Sequence, residues 1–295
     1  MLLRHLRYLL AVAEHENFTR AAEALHVSQP TLSQQIKQME TALGTRLLDR
    51  SGRTVRPTDA GEVLLQHARR ALRELDAGAR AIHDVADLSR GSLSLALTPT
   101  FHPYLVGPLV GRFNTLHPAI DLVVKEMTQE RIEEDLAEDR LDIGIAFAPA
   151  QLAGIEVQEL HAENLEVVVG RGHPAATGAA LDAQQLARLE LVLLSEDFAT
   201  RQHVDHYFDA HGISPRIAVQ TNSVSAILEL VRAGQLATVL PDRIASQQRD
   251  LSAVVLNPPI PPRTAALLRR AGAHHSAASI AFTTLATSSR RNGPR

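Results

Sequence analysis

The stretch Phe18–Gly44, FTRAAEALHVSQPTLSQQIKQMETALG, reads as two helices joined by a tight turn. Ser28 is placed to cap the second helix, because its hydroxyl can accept from an orphan amide of the first turn. Pro30 falls inside that turn, where a missing N–H costs little, and Gly44 supplies the stop. Between them Leu32, Ile36, Met39 and Leu43 recur at steps of four, three and four, one apolar stripe of a 3.6-residue period. On the opposite face sit Gln29, Ser33 and Lys37, flanked by Thr31, Gln34 and Gln38. A face of amides and hydroxyls suits the major groove: amides bond bidentately to adenine, hydroxyls to several bases, and lysine to guanine or phosphate.

The helix before it opens near Thr19 and turns Ala21, Ala22 and Leu25 inward, with His26-Val27 as the short turn of a helix-turn-helix. An ordinary helical hairpin with a solvated face fits the same window, and the flanks decide between the two. Upstream, residues 2–14 form an amphipathic helix with Leu6, Leu9, Leu10 and Ala13 on one side. Downstream, residues 46–50 and 54–56 are short strands around the turn signal Ser51-Gly52. Arg50, Arg53 and Arg56 lie on this hairpin. Singly each is as readily a solvated surface charge, but three beside a reading helix favour contact with backbone phosphates. Three helices and a wing over residues 1–58 describe a mostly helical winged helix-turn-helix.

A chain of 295 residues suggests about two domains. It contains no long uncharged apolar run and no basic–apolar–small succession at its start, so a cytoplasmic location without membrane contact is expected. It has no cysteine, which removes disulfides, thiolate nucleophiles and Cys-based metal sites together. The net charge of −3 hides a division. Residues 1–58 carry eight basic side chains against five acidic ones, whereas residues 91–295 carry seventeen against twenty-two. A mildly basic head on an acidic body fits a DNA-binding module joined to something else.

Thr58 can cap a long helix over residues 59–90, in which Leu64, Ala68, Ala71, Leu75, Gly78, Ile82 and Val85 recur at alternating steps of four and three. That is a heptad seam, the pattern of a helix that packs along another; a helix lying on its own domain is the alternative. Pairing would join two reading heads, and symmetric heads call for a roughly palindromic operator.

From residue 91 onward strands and helices alternate, which argues for parallel α/β sheets. Two lobes are expected, lobe I over about 91–162 and 266–290 and lobe II over about 163–265, with a cleft between them. Open parallel sheets bind ligands beyond the carboxyl ends of their strands. There the chain places Thr98, Thr100, Phe101, Thr128 and Phe147 in the first lobe, and Ser195, Phe198, Thr200, Thr221 and Asn222 in the second. Hydroxyls, an amide and helix N-termini suit a small anion or polar metabolite. For Thr128, Thr200 and Ser223 an ordinary helix cap is an equal reading.

No nucleotide phosphate loop, Rossmann fingerprint or hydrolase elbow occurs. His203, His206 and His211 with Asp205 and Asp209 read as exposed helix residues rather than metal ligands. No catalytic residue, metal or cofactor is expected. An anion-binding module or cleft enzyme whose N-terminal helices only oligomerise remains the rival reading; it predicts no salt-sensitive binding to promoter DNA.

Residues 8–61, YLLAVAEHENFTRAAEALHVSQPTLSQQIKQMETALGTRLLDRSGRTVRPTDAG, resemble the N-terminal pattern of the LysR-type transcriptional regulators almost throughout. The resemblance implies a winged helix-turn-helix, a dimerising linker helix, and an α/β effector domain like a type 2 periplasmic binding protein. It places Gln29, Pro30 and Ser33 on the recognition helix and Arg50 and Arg53 in the wing. With Ser28, Thr31, Gln34 and Lys37 these form the expected DNA-binding set. Such regulators act as homodimers or homotetramers with RNA polymerase, and many repress their own gene.

The stretches AIHDVADLSRGSLSLALTPTF, LDIGIAFAP, LVLLSEDFATRQHVDHY and SVSAILELVRAG are similar to the cyanate-operon activators of this family. This likeness runs to about Arg270 and leaves residues 271–295 unmatched. It implies cyanate as effector, an anion so small that hydroxyl and amide donors with no buried countercharge would suffice.

Overall fold

The computed structural model describes residues 2–52, 54–83, 88 and 91–288; within 73–83 only Leu75 and Gly78 are described beyond the backbone. It separates into two compact units, Met1–Ile82 and His83–Arg295.

In the first unit α1 (Leu3–His15), α2 (Phe18–Ala24) and α3 (Gln29–Leu43) precede a minimal hairpin of β1 (Leu48–Asp49) and β2 (Arg56–Pro57), then α4 (Asp59–His83). Caps set the helix starts. The Asn17 side chain accepts from the N–H groups of Thr19 (2.8 Å) and Arg20 (3.1 Å), and Ser28 Oγ accepts from Thr31 N–H. His26 adopts φ +53° in the turn, and Gly44 ends α3 in the left-handed region at φ +68°. Leu9, Val12, Ala21, Ala22, Leu32, Ile36, Met39, Leu47, Leu48 and Leu65 form the buried core.

Only the start of α4 belongs to that core. Leu65 joins it, and Ala68 and Leu72 pack with Leu6 of α1. Of the expected pairing seam, Ala68 packs in its own head and Leu64 lies against the same core. Ala71, Leu75 and Gly78 are exposed and Leu64 is half-buried. The Ile82 side chain and Val85 lie outside the described residues.

The second unit holds two mixed sheets. Lobe I contains β3 (Gly91–Leu97), a 3-10 turn at Pro99–Phe101, a wide π-type helical segment at His102–Gly111, α5 (Arg112–Leu116), β4 (Ile120–Glu126), α6 (Gln129–Ala137), β5 (Ile143–Ala148) and β6 (Ile155–Glu163). The wide turns follow from Pro103 and Pro108, which remove backbone donors from what would otherwise be an α-helix. Lobe II contains β7 (Leu165–Gly170), α7 (Ala183–Leu186), β8 (Glu190–Leu194), α8 (Ala199–Ala210), β9 (Arg216–Thr221), α9 (Val224–Ala233), β10 (Ala237–Pro241), α10 (Asp242–Ser246) and β11 (Leu251–Val254). The chain then re-enters lobe I through β12 (Arg263–Arg270) and ends in α11 (Ala277–Ser288). Among the described residues no helix is long and apolar enough to cross a membrane.

The sheet orders are β4-β3-β5-β12-β6 and β11-β7-β10-β8-β9. Neither sheet is wholly parallel, contrary to the expectation from strand–helix alternation. β12 runs antiparallel to both β5 and β6, and β7 runs antiparallel to both β10 and β11. The reason is topological: a chain that leaves one lobe beside the strand by which it returns must run the two in opposite directions. The return also begins at Arg263, so lobe I starts slightly before the expected boundary at residue 266.

One close approach fastens α4 to the hairpin. A Cβ added at Gly61 would lie 2.0 Å from the Leu47 carbonyl oxygen, so only glycine fits there. Gly61→Ala is therefore expected to destabilise the head by roughly 1–3 kcal/mol, the usual cost of overpacking. Urea unfolding followed by circular dichroism measures this, and an unchanged midpoint would show that the contact is slack.

Candidate functional site

On α3 the expected reading face is open to solvent. Gln29, Pro30, Thr31, Gln34 and Lys37 are exposed, and Ser33 is half-buried beside the apolar stripe. The side chains of Gln29, Ser33, Gln34 and Lys37 take no hydrogen-bond partner among the described residues, which leaves them free for an external one. Ser28 and Thr31 differ, because their hydroxyls lie 2.7 Å apart and Ser28 also caps the helix.

Behind this face a carboxylate absent from the expected set holds the wing. Glu40 Oε1 accepts from Leu47 N–H (2.9 Å) and Leu48 N–H (3.2 Å), and Oε2 accepts from Arg50 Nη2 (3.0 Å). The Arg50 guanidinium also lies over the Phe18 ring at 4.8 Å. Arg50 is thus part of the wing's anchorage. Arg56 is exposed, and Arg53 lies outside the described residues. Glu40→Ala strands two backbone donors at buried residues. A loss on the order of 2 kcal/mol follows from the cost of unsatisfied groups, and thermal unfolding of the intact chain reads it out.

In the second unit strand register brings the effector candidates to one sheet edge. β3 ends just before Thr98, β4 just before Thr128, and β5 at Ala148 beside Phe147. Antiparallel β12 opens at the same edge with Arg263, which pairs in register with Glu163 at the end of β6. The facing lobe II edge carries Thr200 in the first turn of α8, Asn222 after β9, and Asp242 after β10. Both chain crossings, residues 163–165 and 254–263, join these two edges.

Thr98 and Thr100 are buried, and neither hydroxyl oxygen has a hydrogen-bond partner among the described residues. Phe101 stacks on Phe147 with ring centroids 5.0 Å apart. Thr128 is engaged as the cap of α6, accepting from Arg131 N–H at 3.4 Å. Its neighbour Gln129 is buried and clamps β5, donating to Phe147 O (2.9 Å) and accepting from Phe147 N–H (3.2 Å). Thr200 is buried and Asn222 is exposed, so Asn222 stands on the lobe II edge without enclosing anything.

A buried cation lies at this edge, contrary to the expectation of hydroxyl and amide donors alone. The Arg263 guanidinium sits 3.6 Å over the Phe147 ring and reaches Glu163 Oε2 through Nε (2.7 Å) and Nη2 (2.6 Å). Tyr104 OH donates to the other carboxylate oxygen at 2.5 Å. Burial, the Glu163 charge and this bond all push the Tyr104 phenol far upward, so it stays a donor. Arg263 Nη1 has no partner among the described residues. Arg263 and Glu163 are a hundred positions apart, and no local pattern links them.

Nearby, His161 is pushed down to about 4, by burial first and then by Arg243. A separate groove of about 430 Å³ in lobe II is lined by Glu166, Asp242, Arg243 and Ser246. Burial and the Asp242 charge raise the Glu166 carboxyl there. A histidine whose folded pKa is depressed binds its proton more readily in the unfolded chain. Stability is therefore fully present above the unfolded value, near 6.5, and falls as pH drops toward 4. Discounted for partial exposure, the loss is on the order of 1–2 kcal/mol. A His161→Phe variant should flatten the Tm against pH between those limits, and an unchanged slope would remove His161 as the cause.

Residues 3–62 match the bacterial regulatory helix-turn-helix protein family of lysR type, and residues 86–290 match the LysR substrate binding domain. The chain is 32% identical over 276 residues to the hydrogen peroxide-inducible genes activator of Pectobacterium carotovorum subsp. carotovorum, covering 92% of this chain and 91% of that protein. It is similar to a full-length point variant of OxyR from Pseudomonas aeruginosa at a TM-score of 0.71 and 27% identity, covering 99% and 95% of the two chains. It also resembles full-length CbnR complexed with its target DNA, at a TM-score of 0.67 and 26% identity over 98% and 100%. These relatives are regulators rather than enzymes. The chain belongs to the LysR family of DNA-binding transcriptional regulators, which respond to small-molecule effectors.

Proposed function

We propose that the chain reads promoter DNA as a symmetric homodimer or homotetramer and switches transcription when a small anion enters the cleft between its lobes. The reading residues are Gln29, Pro30, Ser33, Gln34 and Lys37, with Arg53 and Arg56 against phosphates and Arg50 joining them from its anchorage on Glu40. Pairing runs along the exposed stretch of α4 that carries Ala71 and Leu75, with Leu64 half-buried at its start. By likeness to the cyanate-operon activators, cyanate is the first effector to test. An activated cyanate-degradation operon, repression of its own gene and contact with RNA polymerase in the cytoplasm complete the proposal.

One observation carries the effector assignment: two buried threonine hydroxyls, Thr98 and Thr100, have no partner among the described residues. Buried polar groups are almost always hydrogen-bonded, so a ligand bonding both would complete an otherwise costly arrangement. Arg263 Nη1 supplies a cationic donor at the same sheet edge, and Thr128, Thr200 and Asn222 are further candidates. Phe101 and Phe147 form an apolar wall there, and together with the guanidinium they favour a second reading, a small planar carboxylate. A thiol-based response to peroxide is not available, because the chain has no cysteine.

Two variants test the two ends separately. Thr100→Val should abolish the effector response in a reporter strain and the thermal shift with the bound anion, while leaving binding to DNA upstream of its gene intact. Sodium cyanate, nitrate, acetate and benzoate are the probes. A normal response in this variant would remove Thr100 from the site. Conversely, Ser33→Ala with Gln29→Ala should abolish sequence-specific retardation of that DNA in a gel, with the fold retained by circular dichroism. Undiminished retardation would sink the recognition assignment.

A further inference from the structure

The back of the reading helix carries a chain of hydrogen bonds whose direction is set by one backbone amide. His5, on α1, is buried against α3. Its Nδ1 lies 3.3 Å from the Leu2 backbone nitrogen, and its Nε2 lies 2.8 Å from Gln35 Oε1. Gln35 Nε2 lies 3.1 Å from Gln38 Oε1. A backbone N–H can only donate, so Nδ1 must hold a lone pair and the ring proton must sit on Nε2. Nε2–H then donates to the Gln35 carbonyl, which fixes the orientation of that amide. The Gln35 NH2 in turn donates to the Gln38 carbonyl and holds that oxygen back against the helix. Gln38 is exposed; one lone pair of its oxygen is taken, whereas both N–H bonds of its NH2 group remain to be offered.

This matters for base preference. A free glutamine pairs with adenine by using its oxygen and its nitrogen together. A glutamine with one lone pair of its oxygen engaged and its oxygen turned along the helix is biased toward donation, and guanine is the base whose major-groove edge offers two acceptors, O6 and N7. We propose that His5, without touching DNA, is a positioning residue that sets the base preference under Gln38, through Gln35, toward guanine. The inference rests on α3 being the helix that reads the major groove.

The test uses the full-length protein and selection from a randomised double-stranded operator library. The wild type should prefer guanine at one base pair of each half-site, and Gln38→Ala should reduce that preference about fivefold or more, the lower range for a specific base contact. His5→Phe and Gln35→Glu should each weaken the guanine preference at that same pair and admit adenine, leaving the ranking elsewhere unchanged. Gln35→Glu keeps the acceptor for His5 but removes the donor to Gln38, so it isolates the relay if His5→Phe folds poorly. An even loss of affinity across the library for His5→Phe and Gln35→Glu would leave His5 a purely structural role and overturn the proposal. An unaltered preference at every pair in Gln38→Ala would overturn it as well. Failure of α3 as the reading helix is separately visible, since the Gln29 and Ser33 variants would then bind the operator normally.

Discussion

The effector body depends on a charge pair held away from water where the chain crosses between lobes. Glu163 is the last residue of β6 before the chain enters lobe II, and Arg263 is the first residue of β12 on its return. Taking both charges out of water is costly, and the pair is tolerable only with good geometry and additional donors. Here two guanidinium nitrogens meet one carboxylate oxygen, the Tyr104 hydroxyl meets the other, and the cation rests on the Phe147 face. Replacing either charged partner alone would leave an uncompensated buried charge, which typically costs about 3–5 kcal/mol. The two crossings are thereby held in register, because Arg263 and Glu163 are also ladder partners. An anion arriving beside Thr98 and Thr100 would meet a guanidinium whose charge is balanced but whose Nη1 is still a donor. Such a site favours hydrogen-bonding geometry over bare electrostatic attraction.

The parts of this molecule that are legible in sequence are those built from local patterns. The cap at Ser28, the stripe Leu32–Ile36–Met39 and the stop at Gly44 each need only neighbours a few positions away, and α3 follows them closely. Thr98 and Thr100 are legible because a hydroxyl just past a buried strand of leucines has an obvious address at the carboxyl edge of a sheet. β6 is not, since it is an edge strand whose residues alternate irregularly between exposed and half-buried, with Leu160 and Glu163 its only buried positions. The antiparallel return through β12 and the Glu163–Arg263 pair are equally hidden, because both depend on contacts a hundred residues apart. Glu40 and Gln129 show a further limit. Each is a polar residue on a helix face that satisfies backbone groups of a segment met later in the chain, and composition treats both as ordinary surface residues.

In the first unit α4 gives one face to its own head. Gly61, Leu65, Ala68 and Leu72 recur at steps of four, three and four, and they are the positions that face the head. Leu64, Ala71 and Gly78 of the expected seam lie roughly 70–110° from the centre of that face, whereas Leu75, one heptad beyond Ala68, lies within about 50° of it. Val63 and Leu75 are exposed apolar side chains on this helix, although isolated exposed aliphatics alone would mean little. Val63 lies about 120° round the helix from Leu75, so the exposed face shared by Ala71 and Leu75 is the one open to a partner. A second helix laid along that free face would bury Leu75 while the Gly61–Leu47 contact kept α4 locked to its own head. Any rotation of the paired helices would then be carried rigidly to the wing and to α3, because no loop intervenes between the seam and the head to absorb it.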